Sequence, residues 1–125
     1  MKITGFNPLI LTKDAGPVIA LFEALGFERR HSNSEIEDQK VDVGVRMSDA
    51  NGFHVDIVQT DMFPQDRMTI RMNTDDMDEA YKTLVAHGFK SRTNEPVNSK
   101  GSKSYGMISP SGYWISLVKH VKEKD

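Results

Sequence analysis

One pattern occurs twice in this chain, and the repetition limits its fold more than any other feature. Asp14 opens an apolar-periodic stretch that closes at Gly26-Phe27, and Asp76 opens another that closes at Gly88-Phe89, each landmark recurring after 62 positions. Further on, Asn51-Gly52-Phe53-His54-Val55-Asp56-Ile57-Val58 aligns with Ser111-Gly112-Tyr113-Trp114-Ile115-Ser116-Leu117-Val118 at an offset of 60. A loop shorter by two residues in the second copy accounts for the change. The whole chain of 125 residues has room for about one ordinary domain, so neither half builds a core alone. Two copies of one supersecondary unit then bury their apolar faces together, and each position in one half has a partner in the other.

Local patterns give the unit its order. Ile3 to Leu11 reads as a strand, with edge or bulge character at Pro8. Asp14 is an N-cap, Pro17 falls in the first turn, and Val18, Leu21, Phe22 and Leu25 mark an apolar helix stripe ended by Gly26. Phe27 to His31 is a short strand and His31 to Lys40 an exposed polar loop. Val41, Val43, Val45 and Met47 alternate with polar or small residues, the period of a half-buried strand. Asn51-Gly52 is a hairpin turn that returns the chain through Phe53 to Gln59. The second copy repeats this order: Met68, Ile70 and Met72 form a strand, and Asp75 or Asp76 caps a helix with Met77, Ala80, Tyr81, Leu84 and Val85 on its apolar face. A strand from Phe89 to Arg92, a polar loop from Thr93 to Lys103 and a terminal hairpin follow. The expected organisation is module 1 over about 1–59, a linker at 60–66, module 2 over about 67–119 and a charged tail at 120–125. The fold class is α+β: two tandem βαβββ modules forming a curved mixed sheet around a concave cleft.

Composition excludes several functions. A net charge of −2 with interspersed signs offers no basic stripe for a phosphate backbone, so nucleic acid is not an expected partner. No apolar run reaches membrane-spanning length and Met1 to Phe6 has no signal-peptide core, which makes the cytoplasm the expected location. Zero cysteines leave no disulfide frame, thiolate nucleophile or cysteine-ligated zinc. Asn98 to Ser104 has neither the residue order nor the context of a P-loop and reads as a solvated loop.

The Asp-led helix ending in Phe22-Glu23-Ala24-Leu25-Gly26-Phe27, with the terminal Pro110-Ser111-Gly112 hairpin, resembles the vicinal oxygen chelate superfamily of glyoxalases, extradiol dioxygenases and bleomycin resistance proteins. The resemblance covers residues 3 to 119. It implies paired βαβββ modules curving around a cavity, commonly assembled as homodimers. It also implies that metal-dependent members hold a divalent ion with His and Glu on the first and last strands of each module. The corresponding positions here are Asn7 and Asp56 in one half and Thr69 and Ser116 in the other. One carboxylate and three neutral oxygens suit zinc, nickel or iron poorly.

Strand alternation extends the set. His54 shares a face with Asp56, Arg71 with Thr69, and Trp114 with Ser116, while Val55, Ile57, Ile70, Met72, Ile115 and Leu117 turn to the helices. Asn7, His54, Asp56, Thr69, Arg71, Trp114 and Ser116 are therefore the expected ligand-binding residues. Arg71 is expected to pair with Asp56 or with an anionic ligand, and Trp114 to offer a stacking surface. The leading expectation is a homodimeric small-molecule-binding protein of the bleomycin resistance type, with no metal or other cofactor; bleomycin itself is not implied. The alternative is a glyoxalase-type lyase, isomerase or dioxygenase with an unconventional ion at Asp56 and His54. A third is a scaffold or regulatory domain whose cup is filled by its own side chains.

Overall fold

The computed structural model describes residues 1–32, 43–99 and 101–120. The loop expected over 33–40, the strand start at Val41 and the tail at 121–125 lie outside the described residues. The protein is α+β and consists of two βαβββ modules. It forms two compact units: residues 7–68, and residues from 69 onward together with Met1–Phe6.

In the first unit the elements are β1 (Ile3–Thr12, which begins in the other unit), α1 (Ala15–Ala24), β2 (Glu28–Ser32), β3 (Val43–Ser48) and β4 (His54–Gln59). Strand order is β2-β3-β4-β1, with β1 parallel to β4 and the other pairs antiparallel. In the second unit, β5 (Arg67–Thr74, which begins in the first unit), α2 (Met77–Ala86), β6 (Lys90–Ser91), β7 (Val97–Ser99), β8 (Ser102–Ile108) and β9 (Trp114–His120) give the order β5-β9-β8-β6, with β7 on β8. The register repeats along with the sequence. Leu9 stands beside Asp56 as Arg71 stands beside Ser116, and Arg46 faces Asp56 as Gly106 faces Ser116.

The same residue chemistry starts each helix. Thr12 Oγ1 accepts from the Asp14 amide at 3.2 Å, and Thr74 Oγ1 from the Asp76 amide at 3.1 Å. Asp14 then caps the Gly16 N–H and Asp76 the Glu79 N–H, each cap contributing about 1 kcal/mol. Asp75, the other candidate cap, instead accepts the Lys2 amide at 2.7 Å. The hairpin turns repeat as well: Asp49 Oδ1 gathers the amides of Asn51 and Phe53, and Ser109 Oγ those of Ser111, Gly112 and Tyr113.

Each helix packs on one face of its own sheet. Ala15 and Ile19 of α1 meet Val45, Met47, Val55 and Ile57; Met77 and Ala80 of α2 meet Met107, Ile115 and Leu117. Among the described residues the four largest fully buried side chains, Met47, Ile57, Met107 and Leu117, are two pairs related by the offset of 60. Each contributes about 1.5–3 kcal/mol of burial. The stripe expected for α1 is rotated, however. Leu21 and Leu25 are 52% and 61% exposed; Val18 and Phe22 pack on the core as expected, and Ala15 and Ile19 are buried in place of the two leucines. Helix α1 is apolar on several sides, so 3.6-residue periodicity alone does not select its buried side. Val85 of α2 is likewise exposed. The polar segment expected to be loop throughout 93–103 carries β7, because Ser99 pairs with Ser102 near Gly101, whose φ is +80°.

Candidate functional site

In module 1 the face of the sheet away from α1 is built by alternation. Asn7 on β1, Arg46 and Ser48 on β3, and His54 and Asp56 on β4 all turn there, opposite the buried Val45, Met47, Val55 and Ile57. Arg46 Nε donates to Asp56 Oδ1 at 2.8 Å and Nη2 to Oδ2 at 2.9 Å, a bidentate fork. Asn7 Nδ2 adds a third donor, 3.1 Å from Oδ2, and also reaches the Pro8 carbonyl at 2.9 Å. The Asp56 side chain is 5% exposed and that of Arg46 32%, so the carboxylate is dry while the guanidinium keeps an edge in solvent. Hydrogen bonding to Asp56 raises the Arg46 pKa above its ordinary value, outweighing the desolvation that lowers it. A cation whose folded pKa is raised contributes its full stability at every pH below its unfolded pKa, so this pair is constant across the neutral range. His54 is exposed, its Nδ1 2.6 Å from the buried Ser48 Oγ. Burial of Ser48 withholds it from attack on a substrate, so this contact orients the ring rather than activating a nucleophile.

In module 2 the matching face carries Thr69 and Arg71 from β5, Gly106 from β8, and Trp114 and Ser116 from β9. Arg71 and Gly106 flank Ser116 in the register. Arg71 Nε lies 3.4 Å from Asn73 Oδ1, a long hydrogen bond. The Arg92 guanidinium lies over the Trp114 ring, 5.6 Å from its centroid, and the Arg92 amide donates to the Gly106 carbonyl at 2.9 Å. Thr69 is buried, and its Oγ1 has no hydrogen-bond partner among the described residues.

The seven expected residues thus divide between the units: Asn7, His54 and Asp56 in one, and Thr69, Arg71, Trp114 and Ser116 in the other. Asn7 and Asp56 are in direct contact. Sequence reasoning missed Arg46, Ser48, Arg92 and Gly106. Arg46 was within reach, because a hairpin centred on Asn51-Gly52 places it opposite Asp56. Arg92 was expected to close a strand from Phe89, but that strand stops at Ser91 and irregular backbone places the Arg92 side chain.

These residues do not fit a catalytic metal. The one carboxylate among the family's positions is already clamped by a guanidinium and an amide, and a divalent ion would have to displace a cation from it. Thr69 and Ser116 offer only hydroxyls. Among the described residues no group of three or more His, Asp or Glu side chains is gathered where an ion could bind. A hollow of about 450 Å³ lies elsewhere, between the end of α2 and the Ser109–Tyr113 turn. It is on the helix side of module 2 and holds none of the expected site residues.

Solved structures share this architecture. A methylmalonyl-CoA epimerase from Mycobacterium tuberculosis matches with a TM-score of 0.72 at 14% identity, over 96% of this chain and 90% of that one. A variant of the Streptomyces coelicolor methylmalonyl-CoA epimerase in complex with 2-nitronate-propionyl-CoA matches with a TM-score of 0.68 at 15% identity, over 97% and 100%. A glyoxalase/bleomycin resistance protein/dioxygenase superfamily member from Vibrio splendidus 12B01 matches with a TM-score of 0.58 at 16% identity, over 94% and 99%. No protein-family model matches the sequence, and comparison with curated proteins finds no match. The protein therefore has the vicinal oxygen chelate fold. At these identities the likeness defines the fold and leaves the activity to the residues of the site. No helix among the described residues is long and apolar enough to cross a membrane.

Proposed function

We propose that this chain is a metal-independent small-molecule-binding protein, a homodimer in the cytoplasm that captures its ligand on the helix-free faces of its modules, in the manner of the bleomycin resistance branch of the fold. The observation that carries this reading is the bidentate Arg46–Asp56 pair at the metal position of module 1. An internal guanidinium satisfies the carboxylate there, so the face keeps its polar anchors without needing an ion. Such capture requires shape, an aromatic wall and a few directed polar groups. Asn7, His54, Asp56, Thr69, Arg71, Trp114 and Ser116 are the proposed contact residues.

A second reading, a glyoxalase-type lyase, isomerase or dioxygenase, takes support from the fold shared with methylmalonyl-CoA epimerases. It would place an ion at Asp56 and His54, and Arg46 stands against that. Metal analysis of protein purified without chelators separates the two. The expected result is no stoichiometric divalent ion, an unchanged melting temperature in EDTA, and a raised one with at least one member of a metabolite and antibiotic panel. A ligand at one hundred times its Kd adds about 2.7 kcal/mol, roughly 10 °C for a chain of this length. A stoichiometric ion that disappears in Asp56→Asn would sink the proposal.

A further inference from the structure

The repeat allows the two faces to be compared position by position, and they differ in one respect. Module 1 holds a guanidinium from Arg46 and the carboxylate of Asp56, which neutralise each other. At the same register module 2 has Gly106 and Ser116, so both partners are gone. Only the guanidinium has been restored. Arg92 lies along Gly106, where an added Cβ would stand 3.4 Å from Arg92 Cδ and 3.7 Å from Trp114 Cζ3. Its charged end rests over Trp114, and among the described residues it makes no ion pair. The inward positions of β5, β8 and β9 carry no carboxylate: Thr69, Arg71 and Asn73, then Ser104, Gly106 and Ile108, then Trp114, Ser116 and Val118.

A second observation is independent of charge. Thr69 Oγ1 is buried with no hydrogen-bond partner among the described residues, on the same strand face as Arg71 and beside Trp114 in the register set by Ile70 and Ile115. A buried hydroxyl left unsatisfied is costly, and a ligand oxygen within reach would relieve it. The geometry points to an organic-anion subsite on the helix-free face of module 2, in which the carboxylate of a small aromatic acid takes the part that Asp56 plays in module 1. Arg92 supplies the charge, Thr69 and Ser116 the hydroxyl donors, and Trp114 the flat apolar wall. This inference rests on the reading of the chain as a metal-independent binding protein and names the class of its ligand.

Trp114 is the single tryptophan of the chain, so its emission reports on this face alone. Benzoate is the probe, benzamide its neutral isostere, and chloride at matched ionic strength the salt control. Benzoate is expected to change the emission saturably with a Kd on the order of 1 mM, as suits a ligand of its size. Benzamide is expected to bind at least about tenfold more weakly, the weight of a charge-assisted hydrogen bond. Arg92 is exposed, so Arg92→Gln leaves the fold intact and is expected to lower benzoate affinity about tenfold. Thr69→Val keeps the shape and loses the donor, and is expected to weaken benzoate several-fold without lowering the melting temperature. Equal binding of benzoate and benzamide, the same response from chloride, an unaltered affinity in Arg92→Gln, or no saturable benzoate response overturns the subsite. If neutral or cationic molecules bind instead, the anion assignment falls and metal-independent capture stands. If no molecule of a broad panel binds, both fall.

Discussion

Arg46→Met is expected to destabilise the protein by about 3 kcal/mol, a fall in melting temperature of roughly 10 °C. The substitution keeps most of the side-chain volume and removes the fork that neutralises Asp56. The carboxylate stays where it is, 5% exposed, with Asn7 still donating at 3.1 Å. A buried charge stripped of its fork costs more than the pair ever contributes, because the desolvation is kept while the fork's attraction is lost. The estimate sits at the low end of the range for such sites, since the Asn7 contact survives. The reverse change is milder. Asp56→Asn leaves a guanidinium that is one-third exposed and turns to water, at a cost of about 1–2 kcal/mol. Replacing both partners with apolar residues of similar volume is close to neutral. Urea denaturation of the three variants tests the asymmetry. Equal losses for Arg46→Met and Asp56→Asn would mean that Asp56 is not a dry carboxylate dependent on its arginine.

How much of this was legible beforehand follows from where each piece of structure is encoded. The modules were readable because their punctuation is local and chemical. Asp14 and Asp76 cap, Gly26 and Gly88 take positive φ, and the turns at Gly52 and Gly112 close hairpins. Each element was then corroborated by its copy. The buried side of α1 was not readable, because a helix apolar on most sides is oriented by the sheet it meets and not by its own period. The short strand β7 was hidden for a different reason: backbone pairing with β8 holds Val97–Ser99, and its side chains carry almost no strand signal. The expected contact residues were placed by alternation along β1, β4, β5 and β9. Arg46 lies on β3, which reaches Asp56 only through the register set by the Asn51-Gly52 hairpin. Arg92 was expected to end a strand that repeats Phe27 to His31, but β6 stops at Ser91 and leaves Arg92 on irregular backbone. Cross-strand neighbours are thus recoverable from sequence when a turn fixes the register, whereas a side chain that leans in from irregular backbone is not.

The repeat also supplies its own control for a backbone prediction. Gly26 and Gly88 end the two helices in equivalent positions with φ of +100° and +94°, values that carry strain for any residue with a Cβ. Their surroundings differ. A Cβ on Gly26 would meet nothing among the described residues within 4 Å, whereas one on Gly88 would lie 2.6 Å from Pro110 Cγ, 3.6 Å from its Cδ and 3.7 Å from its Cβ. Pro110 cannot swing aside, because its ring is closed and the turn around it is tied by three amides donating to Ser109 Oγ. Relief must come from moving the turn, which also carries Tyr113 in edge contact with the buried Phe89 at 5.8 Å. Gly26→Ala is therefore expected to cost about 1–2 kcal/mol from backbone strain alone. Gly88→Ala adds an overpacking penalty of about 2 kcal/mol and is expected to lose about 3–4 kcal/mol in all. Thermal and urea melts of the two variants read the difference directly. Equal losses would mean that Pro110 does not press on the end of α2, and that the two helix ends are alike in packing as well as in sequence.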